Sequence, residues 1–184
     1  MDPVASAPGP KAPRWAWWVA SGFGSGYLRP APGTWGSLAA LIAWLLLRRG
    51  AAHLPWGGPF DGWLWYGLLP AMGLTWLGIR ASDAVVRETG EKDPSWIVVD
   101  EWAGQWIALV PLWLLVPLTG LPPVLDLYAL VPFALFRLFD IWKPGLVHDL
   151  QALPEGKGIV MDDVLAGAYA AVLTAMLLPL LGRF

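Results

Sequence analysis

Apolar residues run along the chain in five long stretches, and the segments between them hold most of the polar residues. The stretches cover residues 34–47, 62–79, 102–117, 121–139 and 164–181. Apolar runs of this length, interrupted by Gly and Pro, predict helices rather than strands. We therefore expect an all-α fold, a small helical bundle with its polar motifs at the helix ends.

The stretches are close to the length that a lipid bilayer requires. A hydrocarbon core of about 30 Å takes roughly 20 helical residues, so most of the stretches can span or nearly span it. Stretch 34–47 is short and is expected to be tilted, re-entrant or only partly inserted. Four prolines around residues 118–120 predict a tight hairpin between the third and fourth helices. The pattern thus predicts an integral-membrane bundle with four to five membrane-embedded helices.

Composition favours a surface that faces lipid. Of the 184 residues, 57% are hydrophobic, 14% are charged and 14 are Trp, whereas about a quarter of an ordinary soluble domain is charged. Tryptophans near the ends of several stretches fit interfacial aromatic belts. A net charge of −2 gives no basic excess for nucleic acid. Cysteine is absent, which excludes disulfides, thiolate metal sites and a cysteine nucleophile.

The ends of the chain and its basic residues predict an orientation. Residues 1–14 are rich in Pro, Ala and Gly and predict a disordered cytosolic tail before one membrane-embedded domain at 15–184. Counting Lys and Arg by alternate segments gives nine on one side of the membrane and three on the other, so the first side faces the cytosol. The nine are Lys11, Arg14, Arg29, Arg80, Arg87, Lys92, Arg137, Lys143 and Lys157, and the three are Arg48, Arg49 and Arg183.

A glycine-rich loop, GFGSGYLRPAPGTWGS at residues 22–37, precedes the first long apolar helix. Thr34 is a natural N-cap for that helix. Gly22, Gly24, Ser25 and Gly26 can turn backbone N–H groups toward an anion held near a helix N-terminus. We interpret these residues as candidates for binding phosphate. A tight turn at the membrane interface is the structural alternative.

Two motifs place paired carboxylates just before apolar helices. In DPSWIVVDEWAGQW, residues 93–106, Asp93 is expected to cap the helix and Asp100 and Glu101 follow it. In GKGIVMDDVLAG, residues 156–167, Asp162 and Asp163 hold the corresponding positions. A carboxylate gains only about 0.3–1 kcal/mol from a helix N-terminus, whereas an ionised side chain in lipid costs about 2.5–3.5 kcal/mol. Such pairs therefore indicate cations or hydrogen-bond donors nearby.

A third charged motif, RLFDIWKP at residues 137–144, ends the fourth apolar stretch. Arg137, Asp140 and Lys143 recur at i, i+3 and i+6, which places them near one helical face, and Pro144 discourages continuation of the helix. The two cations can neutralise a phosphate while Asp140 binds a metal. An Arg–Asp ion pair with an extended Lys is the alternative.

The number of acidic residues favours a shared metal ion. The stabilisation that a helix dipole gives a carboxylate is too small to explain why so many carboxylates lie at the cytosolic helix ends. With no Cys and only His53 and His148, oxygen ligands favour Mg²⁺ or Mn²⁺ over zinc. For His148 a proton donor is one interpretation, but a lone loop His is more often a bystander, and we place His53 on the outer side. The proposed ligands and catalytic residues are Asp100, Glu101, Asp140, Asp162 and Asp163.

The four motifs together resemble the phosphatidylglycerophosphatase A family of bacterial membrane lipid phosphatases. The matching blocks are GFGSG with PGTWGSLAA, IVVDEWAG, RLFDIWKP and GIVMDDVLAG, in that order, over about residues 22–167. One departure is Gly145-Leu146 after the Lys-Pro pair, where the family commonly continues with x-Pro. The resemblance implies Mg²⁺-dependent hydrolysis of phosphatidylglycerophosphate to phosphatidylglycerol and phosphate. It also implies a multi-pass protein of the cytoplasmic membrane.

We hypothesise that the five carboxylates gather one or two Mg²⁺ ions and so activate an attacking water. Arg137 and Lys143 then hold the nonbridging phosphate oxygens, and the loop at 22–26 with Thr34 supplies neutral donors. An aspartate nucleophile that forms a phosphoenzyme is the alternative mechanism.

Two other function classes fit the same residues. Carboxylates within the membrane can define the pathway of an ion or proton transporter, although such a protein should place them near the bilayer midplane. A structural subunit could instead use its charged ends to bind a partner, in which case loss of one carboxylate would leave lipid composition unchanged.

Overall fold

The computed structural model of the protein describes residues 10–51, 62–119, 127–154 and 156–181. Within these ranges it contains seven α-helices and no strand, so the all-α prediction is confirmed. A 3₁₀ turn, Ser25–Tyr27, follows the first helix, and a π-helical segment, Gly62–Leu68, leads directly into the third. The helices are α1 (Arg14–Ala20), α2 (Pro32–Ala51), α3 (Leu69–Thr89), α4 (Val99–Thr119), α5 (Leu130–Trp142), α6 (Leu146–Leu150) and α7 (Gly156–Leu181).

Several sequence predictions fall partly or wholly on residues outside the described ranges. They are His53, Arg183, residues 1–9 of the predicted tail and residues 120–126 around the predicted hairpin. Of the fourth apolar stretch, the part that is described becomes helical only at Leu130. Arg14, which the sequence assigns to the tail, is the first residue of α1.

Helix α2 is longer than its apolar stretch. It has 20 residues, begins at Pro32 and continues through Arg48 and Arg49, so the helix extends beyond stretch 34–47 at both ends. Pro32 suits a first helical turn because its φ is fixed and its missing N–H needs no partner there. Thr34 consequently lies inside the helix, and the prediction that it is the N-cap is wrong.

The acidic helix starts also differ from the sequence prediction. Asp93 does not cap a helix, because residues 90–98 form a loop and α4 begins at Val99. Helix α7 begins at Gly156, so Asp162 and Asp163 lie in its second turn rather than before it. The N–H of Gly156 donates to Asp83 Oδ1 at 2.7 Å, and this cap from α3 fixes the start of α7.

Helices α4 and α7 pack together in the centre of the bundle, and α2, α3 and α5 surround them. Away from the polar motifs, Trp44, Leu109, Leu112 and Leu178 belong to one buried apolar cluster. Burying side chains of this size stabilises the fold by about 1.5–3 kcal/mol each. This core holds the helices whose ends carry the charged residues.

Large apolar side chains also cover parts of the outer surface. Leu46, Met72, Trp76 and Met176 are each about 60% exposed. Among the described residues, one helix, Gly156–Leu180, is long and apolar enough to cross a membrane by length and composition. The prediction of four to five membrane-embedded helices is therefore not confirmed. Four charged residues in the second half of α3, Arg80, Asp83, Arg87 and Glu88, shorten its apolar length.

Candidate active site

Three carboxylates from three helices meet at one end of the bundle. Glu101 lies in the first turn of α4, Asp140 in the last turn of α5 and Asp163 in the second turn of α7. One oxygen of each lies within 4.8 Å of the others. All three are buried, with exposures of 8%, 8% and 3%. We call Glu101, Asp140 and Asp163 the acidic cluster.

Arg137 joins two members of the acidic cluster. Its Nη1 atom donates to Glu101 Oε2 and lies 2.9 Å from Asp140 Oδ2. The same nitrogen is 3.2 Å from the Oγ atom of Ser37, and this hydroxyl is 2.8 Å from Glu101 Oε2. Arg137 and Ser37 therefore fix the orientation of the Glu101 carboxylate. The predicted i, i+3 contact between Arg137 and Asp140 is present.

Lys143 turns back toward the carboxylates from the end of α5. It has φ 48° and ψ 58°, a left-handed conformation that is uncommon for a residue with a side chain. Its Nζ lies 2.6 Å from Asp162 Oδ2 and 3.9 Å from Asp140 Oδ1. Burial by itself lowers the pKa of Lys143, but the hydrogen bond to Asp162 and the negative charges of Asp162, Asp163 and Asp140 together outweigh it, so the net pKa is raised. Lys143 therefore remains a cation at neutral pH.

Glycines allow the helices that carry the acidic cluster to approach closely. A Cβ added at Gly167 would overlap the carbonyl oxygen of Gly104 and lie 2.9 Å from its carbonyl carbon. Gly104 follows Glu101 by three residues, and Gly167 follows Asp163 by four. The contact between the two glycines thus sets the distance between α4 and α7 at the carboxylates, as the small residues after each acidic pair suggest.

The start of α2 approaches α4 in the same way. A Cβ at Gly33 would overlap Glu101 Oε1, and one at Gly36 would lie 2.9 Å from the Cβ of Val98. Because these positions have no side chains, Ser37 can reach the Glu101 carboxylate.

The acidic cluster fits a divalent cation. Asp163 Oδ2 is buried and has no hydrogen-bond partner among the described residues, and a buried carboxylate oxygen without a partner is costly. Arg137 and Lys143 neutralise only part of the charge of the neighbouring carboxylates. Three oxygen donors that lie this close are the kind of ligand that hard divalent cations take.

All five predicted carboxylates line one open cavity of about 440 Å³. Besides the acidic cluster, its wall includes Asp100 and Asp162. Asp100 Oδ1 accepts the backbone N–H of Glu101 at 2.9 Å, whereas Asp162 is paired with Lys143. The structure thus places three of the five carboxylates in the cluster and two beside it.

Residues 22–26 of the glycine-rich loop do not line this cavity, whereas Gly33, nearer the end of the same motif, does. The backbone N–H groups of the glycines at 22–26 donate to the residues just before the loop, since that of Gly22 goes to Val19 O, and those of Gly24 and Gly26 go to Ser21 O. Ser25 Oγ donates to Gly22 O at 2.7 Å and accepts from the indole of a Trp on α4 at 3.2 Å. The loop forms a turn against α4.

Gly24 lines a second cavity of about 240 Å³ with four aromatic residues, Trp17, Trp18, Phe23 and Tyr27. Thr34 is exposed and, among the described residues, is absent from the wall of the carboxylate cavity. A phosphate contact by the glycine-rich loop or by Thr34 stays a prediction.

Sequence reasoning missed two residues of this site. Ser37 contacts both Glu101 and Arg137, and Gly33 leaves room for the Glu101 carboxylate. Both lie in the motif at 22–37, and the small residues Gly33, Gly36 and Ser37 at i, i+3 and i+4 form a helical face. This spacing is the signal that could have pointed to a close helix contact.

A sequence profile of the phosphatidylglycerophosphatase A family matches residues 18–178. The chain belongs to this family. The matched segment contains the whole acidic cluster, the two cations paired with it and Ser37. The resemblance predicted from the four motifs is thus confirmed, and so is the prediction that the chain is a phosphatase.

Curated relatives extend the match over most of the chain. Phosphatidylglycerophosphatase A of Escherichia coli is 33% identical over 155 residues, which are 83% of this chain and 77% of that protein. Its Haemophilus influenzae counterpart is 35% identical over 155 residues, 84% of this chain and 83% of that protein. A Bacteroides thetaiotaomicron protein, provisionally named a phosphatidylinositol-3-phosphatase, is 38% identical over 161 residues, 86% and 90% of the two chains. No solved structure matches the chain.

Proposed function

We propose that the chain is a Mg²⁺-dependent lipid phosphatase that hydrolyses phosphatidylglycerophosphate to phosphatidylglycerol and inorganic phosphate. The observation that carries this proposal is the acidic cluster, three buried carboxylates from three helices with one unpartnered oxygen, beside two cations in an open cavity. Family membership and the names of the E. coli and H. influenzae relatives support the substrate.

The names of the relatives also define a substrate class. Phosphatidylglycerophosphate and phosphatidylinositol 3-phosphate both carry a phosphate monoester on a headgroup that a phosphodiester joins to diacylglycerol. The monoester is the group that is hydrolysed. An enzyme for this class must therefore bind two phosphates and act on only the outer one.

The proposed roles follow from charge and position. Glu101, Asp140 and Asp163 would hold Mg²⁺, which when bound polarises a phosphoryl oxygen and makes a water molecule more acidic. Lys143 lies where it can contact a nonbridging oxygen of the monoester, and Arg137 holds two of the carboxylates in place. Asp100 and Asp162 line the same cavity and are proposed to serve the same reaction.

In the reaction, a water oxygen forms a new bond to phosphorus while the bond to the glycerol oxygen breaks. The water loses a proton and the leaving oxygen gains one, so the products are an alcohol and phosphate. Formation of an aspartyl phosphate is the other route that the carboxylates permit. Protein-bound ³²P after an acid quench would support that route, and its absence at full turnover would support direct attack by water.

The location proposed for the enzyme is the cytoplasmic membrane of a bacterium, with several passes and the cavity at the cytosolic face. The site residues come from the starts of α2, α4 and α7 and from the end of α5, as expected for helices that cross in alternate directions. The exposed apolar side chains on the outer surface and the asymmetry of Lys and Arg support the same arrangement. Carboxylates confined to one end favour a phosphatase over an ion transporter.

The test is phosphate release from phosphatidylglycerophosphate by the purified full-length protein in detergent. We expect release with Mg²⁺, loss of release with EDTA, recovery on adding Mg²⁺, and at least a 10²-fold lower rate for Glu101→Gln and Asp163→Asn. Asp149→Asn is the matched control, because that carboxylate is exposed on α6 and lies outside the cavity wall. Equal rates for all variants, or with EDTA, would contradict the proposal.

A further inference from the structure

The cavity has an exposed rim that differs from its acidic interior. The polar residues of the rim are Lys92, Asp93 and Ser95 from the loop before α4 and Gln151 from the segment after α6. All four are exposed, whereas the acidic cluster is buried. A ligand that enters the cavity therefore passes from the rim to the carboxylates.

The rim contains a cation that forms no ion pair with a carboxylate in the described part of the chain. Arg137 and Lys143 are both engaged in ion pairs. Lys92 forms no ion pair with any residue in the described ranges, and the side chains of Ser95 and Gln151 have no hydrogen-bond partner there. The rim thus offers one ammonium group and two neutral donors to an anion from outside the chain.

We propose that this rim is a subsite for the phosphodiester of the lipid substrate, with Lys92 as its cation and Ser95 and Gln151 as neutral donors. The inference rests on the proposed function, since the substrate class carries a monoester and a phosphodiester. With the monoester at the acidic cluster, the phosphodiester lies closer to the cavity mouth. Asp93 lies in the same rim, so the subsite carries one positive and one negative charge.

Loss of the proposed subsite should change the kinetics differently from loss of a carboxylate of the acidic cluster. Lys92 contacts a part of the lipid that does not react, so its interaction is the same in the ground state and in the transition state. Loss of such uniform binding raises KM and leaves kcat unchanged. Loss of a cluster carboxylate instead lowers kcat.

The experiment uses the full-length enzyme in mixed micelles with Lys92→Gln, Lys92→Arg and Lys157→Gln. Two inhibitors separate the phosphates, because phosphatidylglycerol carries only the diester and inorganic phosphate resembles only the monoester. For Lys92→Gln we expect KM for phosphatidylglycerophosphate and Ki for phosphatidylglycerol to rise together by about five- to tenfold. Ki for inorganic phosphate and kcat should stay at the wild-type values, and Lys92→Arg should restore most of the affinity.

Lys157→Gln is the matched control, since Lys157 is an exposed lysine of α7 that does not line the cavity. Three results would overturn the subsite: an equal rise in both Ki values, an unchanged KM in Lys92→Gln, or the same effect from Lys157→Gln. Wild-type enzyme that phosphatidylglycerol does not inhibit would overturn it too. Failure of the proposed function looks different, because the wild-type protein would then release no phosphate from phosphatidylglycerophosphate.

Discussion

Replacing Gly167 by alanine should increase the distances between the carboxylates of the acidic cluster, although no carboxylate is replaced. The added Cβ would overlap Gly104 O and lie 2.9 and 3.0 Å from the carbonyl carbon and Cα of that residue. Ordinary contacts of this kind begin at about 3.4 Å, and backbone atoms cannot rotate aside as a side chain can. We therefore expect α7 to move away from α4 by about 0.5–1 Å, at a cost of about 1–3 kcal/mol in folding free energy.

Such a movement should reduce activity far more than it reduces helix content. A displacement of about 1 Å in a catalytic group costs on the order of 10²-fold in rate. We expect Gly167→Ala to lose about 30- to 100-fold in kcat and to need more Mg²⁺ for half-maximal activity, while its far-ultraviolet circular dichroism stays at the wild-type level. Initial rates of phosphate release across a Mg²⁺ titration measure both effects.

The matched control is Gly73→Ala in α3, where an added Cβ has no atom within 4 Å. That variant should keep the wild-type rate. If Gly167→Ala is folded and also keeps the wild-type rate and Mg²⁺ dependence, the reasoning that glycine contact sets the cluster geometry is refuted.

Two further substitutions test the groups around the cluster. Ser37→Ala removes the hydroxyl between Glu101 and Arg137, so we expect about 0.5–1.5 kcal/mol lower stability in thermal unfolding and about tenfold lower kcat; an unchanged rate would contradict the positioning role of Ser37. Lys143→Met leaves Asp162 without its cation. The net pKa of Lys143 is raised in the folded protein. The charge of Lys143 therefore contributes its full stabilisation below the ordinary lysine pKa, and this stabilisation is lost only as pH rises through the raised pKa. The loss of stability in Lys143→Met should therefore be equal at pH 7 and pH 9, and a loss that fades by pH 9 would contradict this.

The sequence predicts which charged residues meet at the candidate site, because carboxylates and cations are distinctive residue types beside apolar helices. Carboxylates at apolar helix ends are costly, so Glu101, Asp140 and Asp163 stand out against their surroundings. The i, i+3 spacing of Arg137 and Asp140 places the two residues next to each other on one helix face, and in the structure they form an ion pair. These features are local and can be read along the chain.

Long-range contacts could not be predicted in the same way. The cap of α7 comes from Asp83, 73 positions away, so the start at Gly156 cannot be inferred from its neighbours. Ser37 meets Glu101 only because two helices approach at glycines. Hydroxyls and glycines are common in helices, and their roles depend on which helices pack together.

The length of an apolar stretch does not give the length of the helix that contains it. The first apolar stretch ends at residue 47, but α2 continues through Arg48 and Arg49, since long basic side chains are good helix formers and can extend to solvent. The glycine-rich loop shows that glycine spacing alone does not fix where backbone N–H groups donate. Glycine permits N–H groups to face an anion, but the N–H groups of Gly24 and Gly26 donate to Ser21 within the turn.

Binding of a divalent ion by Glu101, Asp140 and Asp163 can be measured without any substrate. Mn²⁺ titrated into the purified protein and followed by electron paramagnetic resonance reports bound and free ion directly, and Mg²⁺ should compete for the same site. We expect saturable binding to the wild-type protein and to Asp149→Asn, and binding at least tenfold weaker in Glu101→Gln, Asp140→Asn and Asp163→Asn. Equal Mn²⁺ affinity in all five proteins would show that these three carboxylates do not hold the metal.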